Sequence, residues 1–230
     1  MPKHLEREIE KLKKKILSLS TIVEESVRRS IRSVEERDTA LANRVIKTDL
    51  EIDQIEIDVE EECLKILALY QPVAIDLRFL VAVLKINNDL ERIGDMAVNI
   101  AERAVFLNTL EKLDIPFRLR EMADKAQTML RESLDALVNL DPRLALAVCA
   151  ADDEVDALYV RMYDLVREGV RAQPESTESF LNMLSVARYL ERIADHGTNI
   201  AEDVIYMIEG EIIRHGAKDL KWPAADETKA

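Results

Sequence analysis

The chain has 230 residues, 48% hydrophobic and 33% charged, with only five glycines and six prolines, so long helices are favoured over many short strands. A net charge of −13 excludes general nucleic-acid binding, because phosphates are repelled wherever no local basic patch gathers. The apolar runs are too short and interrupted to span a membrane and no leading apolar region reads as a signal peptide, so a cytoplasmic protein is expected.

In chain order, Leu5, Ile9, Leu12, Ile16, Leu19, Val23, Val27 and Val34 recur in steps of three, four and seven, which predicts a first helix with a narrow apolar stripe. Near its start, Lys11, Lys13, Lys14 and Lys15 are either a solvated basic face or a contact for an acidic partner or anionic membrane surface. Asp38 is placed to cap a second helix whose stripe runs Leu41, Val45, Thr48, Ile52, Ile55, Val59, Cys63, Ile66 and Leu69, ended by Pro72. The third helix alternates steps of four and three through Phe79, Val83, Ile86, Leu90, Ile93, Ala97, Ile100, Ala104 and Leu107, a pattern suited to a left-handed bundle. Asn108 to Pro116 breaks the periodicity and divides the chain.

The plan then returns. Met122, Met129, Leu134 and Leu137 mark a fourth helix, and Asp141–Pro142 opens a fifth, with an Asp cap and Pro at the first helical position. Leu144, Val148, Ala151, Val155, Leu158, Met162 and Leu165 line that fifth helix, and Gly169 and Pro174 mark its expected end. A sixth helix fades near Gly210, and a tail with Trp222–Pro223 is expected to be frayed or loosely docked. Cys63 and Cys149 fall inside helical patterns without disulfide or zinc spacing, so both are expected to be buried thiols.

The two halves are copies. Leu90–Glu91–Arg92–Ile93–Gly94–Asp95 with Asn99–Ile100–Ala101–Glu102 recurs one hundred positions later as Leu190–Glu191–Arg192–Ile193–Ala194–Asp195 with Asn199–Ile200–Ala201–Glu202. Upstream, Asp38 aligns with Asp141, Asp49 with Asp152 and Asp53 with Asp156 at a shift of 103, so the second hairpin is three residues shorter. The expected fold is therefore all-α: two tandem pseudo-symmetric up-down-up three-helix bundles of six long helices, over residues 1–108 and 116–210, with a tail over 211–230.

Each half carries two acid pairs at i,i+4: Asp49/Asp53 with Glu91/Asp95, and Asp152/Asp156 with Glu191/Asp195. In an antiparallel hairpin, residues equidistant from the turn lie at one height. Asp53 and Glu91 are each nineteen positions from Pro72, and Asp49 and Asp95 each twenty-three. The second set shares one centre beside Pro174. Four carboxylates at one level repel one another, and Arg92 and Arg192, about 100° around the helix from their neighbours, are expected to be poorly aimed at them. Carboxylates without His or Cys suit hard cations such as Mg²⁺, Mn²⁺, Ca²⁺ or oxygen-ligated iron. Asn99, Glu102, Asn199 and Glu202 continue the same face. The set reads either as two metal sites or as acidic stripes holding diffuse counterions. His196 follows Asp195 where the first copy has Met96, and is expected at a surface or boundary rather than as a ligand. Tyr159 stands at the position aligned with Glu56, so the second site's outer ligands are expected to differ. Arg78 is read equally as half of a turn-fixing ion pair and as a partner contact.

A carboxylate-bridged metal oxidase would show Glu-x-x-His on the helices, and none of the three histidines has a Glu three residues before it. Neither a glycine-rich phosphate loop nor a nucleophile with an adjacent base is visible, so no enzymatic activity is expected.

Pro72–Val73–Ala74–Ile75–Asp76–Leu77–Arg78 and the two acidic segments, taken together, resemble the PhoU family of phosphate-uptake regulators, over nearly the whole chain up to Gly210. The resemblance implies paired three-helix bundles, often dimeric, with multinuclear clusters of iron, manganese or magnesium on the acidic motifs. It further implies a cytosolic accessory to a phosphate ABC transporter that links the transporter ATPase to a membrane sensor histidine kinase and restrains signalling when phosphate is plentiful. Its contact with the membrane would be only indirect, through those partners. The second half lacks the Asp–Leu–Arg segment after Pro174, so the two bundles are not expected to serve partners equivalently.

Overall fold

The structure, a computed structural model, describes residues 3–112 and 119–210. Helices α1 (Lys3–Glu35), α2 (Thr39–Tyr70) and α3 (Ala74–Leu107) form one up-down-up bundle; α4 (Leu119–Asn139), α5 (Pro142–Ala172) and α6 (Thr177–Glu209) form the second. The tail and the part of the dividing segment that follows Lys112 lie outside the described residues.

The joins α1–α2 and α4–α5 are built alike. Arg37 and Leu140 sit in the left-handed region at φ 54° and 51°. The next residue is Asp in both cases, and its backbone N–H reaches back five residues, from Asp38 to the Ser33 carbonyl and from Asp141 to the Ala136 carbonyl. The same aspartates then cap the following helix. Asp38 Oδ1 accepts from Leu41 N–H at 2.8 Å, and Asp141 Oδ1 accepts from Arg143 and Leu144 N–H. One residue thus closes one helix and opens the next, which sets the sharp reversal.

The stripes expected from periodicity face the core. Leu12, Leu19, Val23 and Val27 of α1 are fully covered, as are Val59, Cys63 and Ile66 of α2 and Val83 through Ala104 along the α3 stripe. Ile31, omitted from the expected α1 stripe, fills the step between Val27 and the half-buried Val34. Two expectations need correction. Leu69 is 66% exposed, because the α2 stripe has rotated past the core by its last turn. Gly169 does not end α5, which continues to Ala172. Its missing side chain instead admits the buried Phe180 ring of α6: an added Cβ would lie 2.1 Å from Phe180 Cε1.

The bundles share one core, with α3 and α6 packed antiparallel down its middle, while α2 and α5 lie outermost, each held by two helices of its own bundle. The α3–α6 seam is partly polar. Lys85 pairs with Asp203 and lies 5.5 Å from the Tyr206 ring centre, Asp89 bonds His196 Nδ1 at 2.7 Å, and Arg103 donates to Asn182 at 3.2 Å. Asp89 and Asp203 are both buried, so each needs such a partner. His196 is the boundary residue the sequence suggested.

Candidate functional site: two acidic helix faces

In the first bundle the acid pairs meet across α2 and α3 as the level argument requires. Burial first, and then the charges of Asp53 and Asp95, raise Asp49 above the ordinary carboxylate range. Glu91 is raised by burial and Asp95, opposed by Arg92, with Glu56 and Asp53 adding to the shift. Asp49 therefore feels Asp95 and Glu91 feels Asp53, the two pairings predicted from equal distance to Pro72. The acids are half-buried on the bundle's flank, just off the apolar stripe.

The second bundle repeats the Glu191–Asp156 approach between α5 and α6, but Asp156 and Asp195 are exposed there, and Asp156 is the α5 acid that acts on Asp195. Glu191 is raised by burial, Asp195 and Asp156, with Arg188 and Arg192 pulling the other way. Asp195 is raised by burial and Asp156, partly offset by His196 and Arg192. Asp152 and Glu202 lie beside Cys149, whose thiol burial and those two charges push up to about 12. Cys63 is likewise buried and pushed up to about 12, and both cysteines are free.

Arg92 is better aimed than its angular position suggested. Its Nη1 lies 3.1 Å from Asp95 and its Nε 3.4 Å from Glu91. The long side chain bends one turn along the helix to the i+3 acid, which the projection around the axis ignores. Such exposed pairs stabilise by about 0–1 kcal/mol, so they only partly offset the repulsion.

The outer candidates divide. Asn99 stays on the acidic face of α3 with its amide donating to the Asp95 carbonyl at 2.8 Å. Glu102 is exposed. Asn199 turns towards α3 and donates to Asp89 at 3.4 Å, in the seam between bundles. Arg78 makes no ion pair among the described residues; its guanidinium packs beneath Gly210, the left-handed C-cap of α6.

The sequence touched Glu56 only as the residue aligned with Tyr159, and it missed two cross-bundle pairs. Glu56 is raised by burial, Glu60 and Asp53, and its backbone carbonyl and side chain both accept from Asn87. Its i+3 spacing from Asp53 was the available signal. The Asp89–His196 and Lys85–Asp203 pairs had no local signal, since their partners are 107 and 118 residues apart.

As donors, carboxylates with raised proton affinity on each face, Asp49 and Glu91 on one and Glu191 and Asp195 on the other, fit a hard cation. As geometry, no three Asp, Glu, His or Cys side chains among the described residues converge so as to hold one ion.

Fold and site together define a class: an internally duplicated, all-α protein with one acidic helix face per three-helix unit. The comparisons with known proteins name it. A family model described as the PhoU domain matches residues 16–104 and again 119–204, so this chain belongs to the PhoU family. A phosphate-specific transport system accessory protein PhoU homolog of Aquifex aeolicus is 37% identical over 209 residues, 91% of this chain and 95% of that one. Its counterpart in Pseudomonas putida is 36% identical over 211 residues, 90% of this chain and 82% of the relative. The crystal structure of PhoU from Pseudomonas aeruginosa superposes with a TM-score of 0.88 at 35% identity, covering 90% of this chain and 99% of that one. The Streptococcus pneumoniae phosphate transport system regulatory protein PhoU gives 0.81 at 28% identity, covering 90% and 98%.

Proposed function

We propose that this protein is a cytoplasmic, non-enzymatic regulator of phosphate uptake. In this reading it couples the ATPase of a phosphate ABC transporter to a membrane sensor histidine kinase and acts as a homodimer. The observation behind the reading is the match of both halves to one domain family whose relatives are named for phosphate-specific transport. Consistent with a role reached through membrane partners, no helix of the described residues is long and apolar enough to cross a membrane. Retention of the transporter ATPase and the kinase on immobilised protein, with an effect of phosphate on at least one, is the expected result. Binding of neither sinks the proposal.

The same reading includes multinuclear iron, manganese or magnesium on the acidic faces. Asp49, Asp53, Glu91 and Asp95 would hold it in the first bundle and Asp152, Asp156, Glu191 and Asp195 in the second. The level match across each hairpin and the raised carboxylates support it. A metal would supply the counter-charge that relieves those acids and would tie α2 to α3 and α5 to α6. A second reading, solvated acidic stripes without resident metal, draws support from Arg92 and from the lack of any three converging ligands among the described residues. Elemental analysis of purified protein separates the two. Near-stoichiometric metal that is lost from a Glu91→Ala, Asp95→Ala, Glu191→Ala, Asp195→Ala variant supports the first; trace metal unchanged by the substitutions supports the second.

A further inference from the structure

Three large apolar side chains stand in the open on α2. Leu50, Ile57 and Leu64 are 77%, 46% and 53% exposed, and steps of seven align them along the side of the helix turned away from the core stripe of Ile52, Val59 and Ile66. The line runs about 21 Å, roughly four helical turns. Half-buried Ile46 prolongs it at one end and exposed Ala68 at the other.

The borders of this line are acidic. Asp53 and Glu60 lie along one side of it, and Glu61, Asp58 and Glu51 along the other. No Lys or Arg occurs between Lys47 and Lys65, and Lys65 is paired with Glu62 at 3.4 Å. Glu51, Glu60 and Glu61 make no ion pair among the described residues. The duplication does not account for the face. At the offset of 103 that relates α2 to α5, Leu50, Ile57 and Leu64 fall on Asp153, Val160 and Arg167, and Asp58 falls on Arg161. The outer side of α5 thus has neither the apolar line nor the single sign of charge.

Apolar residues seven apart on a helix, with charges on both sides, suit a second helix laid alongside. A second copy of α2 does not fit. Antiparallel pairing about Ile57 sets Asp53 against Glu60 twice and Asp58 against itself, while parallel pairing sets Asp53 against Asp58. Anionic lipid and nucleic acid are repelled by the same acids. We propose that the outer face of α2 docks a basic amphipathic helix of another protein. Its Leu- or Ile-type side chains, in steps of three and four, seat among Leu50, Ile57 and Leu64, and Lys or Arg on both its flanks meets the acids on either side. The charges select the partner and speed its approach, and the apolar line holds it in register. The docking holds whether or not that protein belongs to a transport system.

The probe is a fluorescein-labelled peptide of about eighteen residues, long enough to span the line, with Leu at heptad spacing and Lys on both flanks. Fluorescence anisotropy against the full-length protein should show saturable binding, and a scrambled peptide of the same composition should bind about tenfold more weakly or worse. Leu50→Gln with Leu64→Gln, at exposed positions and with a good helix former, should leave the far-UV circular dichroism and melting curve unchanged and weaken binding by a similar factor. Glu60→Lys with Glu61→Lys should weaken the Lys-flanked peptide and admit one with Glu on its flanks. Val160→Gln on α5 should change nothing. Absence of binding, equal binding of the scrambled peptide, or affinity untouched by the α2 substitutions overturns the proposal. Sedimentation showing that Leu50→Gln with Leu64→Gln dissociates a dimer of the unmodified protein overturns it in favour of a second copy as the occupant.

Discussion

Asp53→Asn should stabilise the metal-free protein while weakening its response to divalent cations. The Asp53 charge acts on three neighbours, raising Asp49 four residues before it on α2, Glu56 on the next turn and Glu91 across the hairpin. A like-charged pair at helical spacing costs about 0.2–0.5 kcal/mol, and the cross-helix pair is of the same order, so removing the charge relieves roughly 0.5–1.5 kcal/mol. For a chain of this size that is an increase in Tm of about 1–5 °C. The increase should shrink at high salt, where half-exposed charges are screened. Adding Mn²⁺ or Mg²⁺ after chelation reverses the order. A ligand at a hundred times its Kd stabilises the native state by about 2.7 kcal/mol, and the variant, lacking one donor, should gain less. Thermal melts in chelator and across a metal titration measure both effects. A lower metal-free Tm for the variant would mean Asp53 is held by something other than repelling neighbours, and an unchanged metal response would remove it from any metal site.

The same electrostatics predict pH dependence. Asp49, Glu91, Glu191 and Asp195 are raised in the folded state, so protonation favours folding as pH falls through their folded values towards the unfolded ones. Melts in chelator should therefore show stability rising as pH falls from neutrality towards the ordinary carboxylate range, and a variant with all four changed to amides should lose that rise. Gly169→Ala should lose up to about 2 kcal/mol in urea unfolding: overpacking against Phe180, which is 1% exposed and has nowhere to retreat, costs about 1–3 kcal/mol and outweighs the gain of about 1 kcal/mol in helix propensity. Phe180→Leu in the same chain should recover part of the loss; a neutral Gly169→Ala would show that the ring moves freely. Cys63 and Cys149, with thiols pushed up to about 12, should resist alkylation at mildly alkaline pH in the native protein and react fully in denaturant. Rapid native labelling of either would contradict their burial.

Helix positions, caps and the level of the acids were legible because each depends on local spacing. Asp38 and Asp141 announce helix starts whatever lies elsewhere, and residues equidistant from Pro72 share a height once the hairpin closes. Gly169 misled because a glycine in sequence signals an end or a close approach equally well, and only the Phe180 ring on the next helix distinguishes them. Arg92 misled for a different reason: angular position on a helix says where Cβ points, not where six further atoms of a flexible side chain arrive.

By itself the sequence determined the class of fold, the duplication, the two acidic faces and their register, since periodicity and repeat offset are one-dimensional properties of the chain. The docking of one bundle against the other was decided only by tertiary structure. The Lys85–Asp203 and Asp89–His196 pairs join residues more than a hundred positions apart on helices of different bundles, and no spacing rule relates them. The same docking ends α6 at Gly210 over Arg78 and leaves Ile75 bare one turn beyond, because the relative lengths of two packed helices become visible only when they lie side by side.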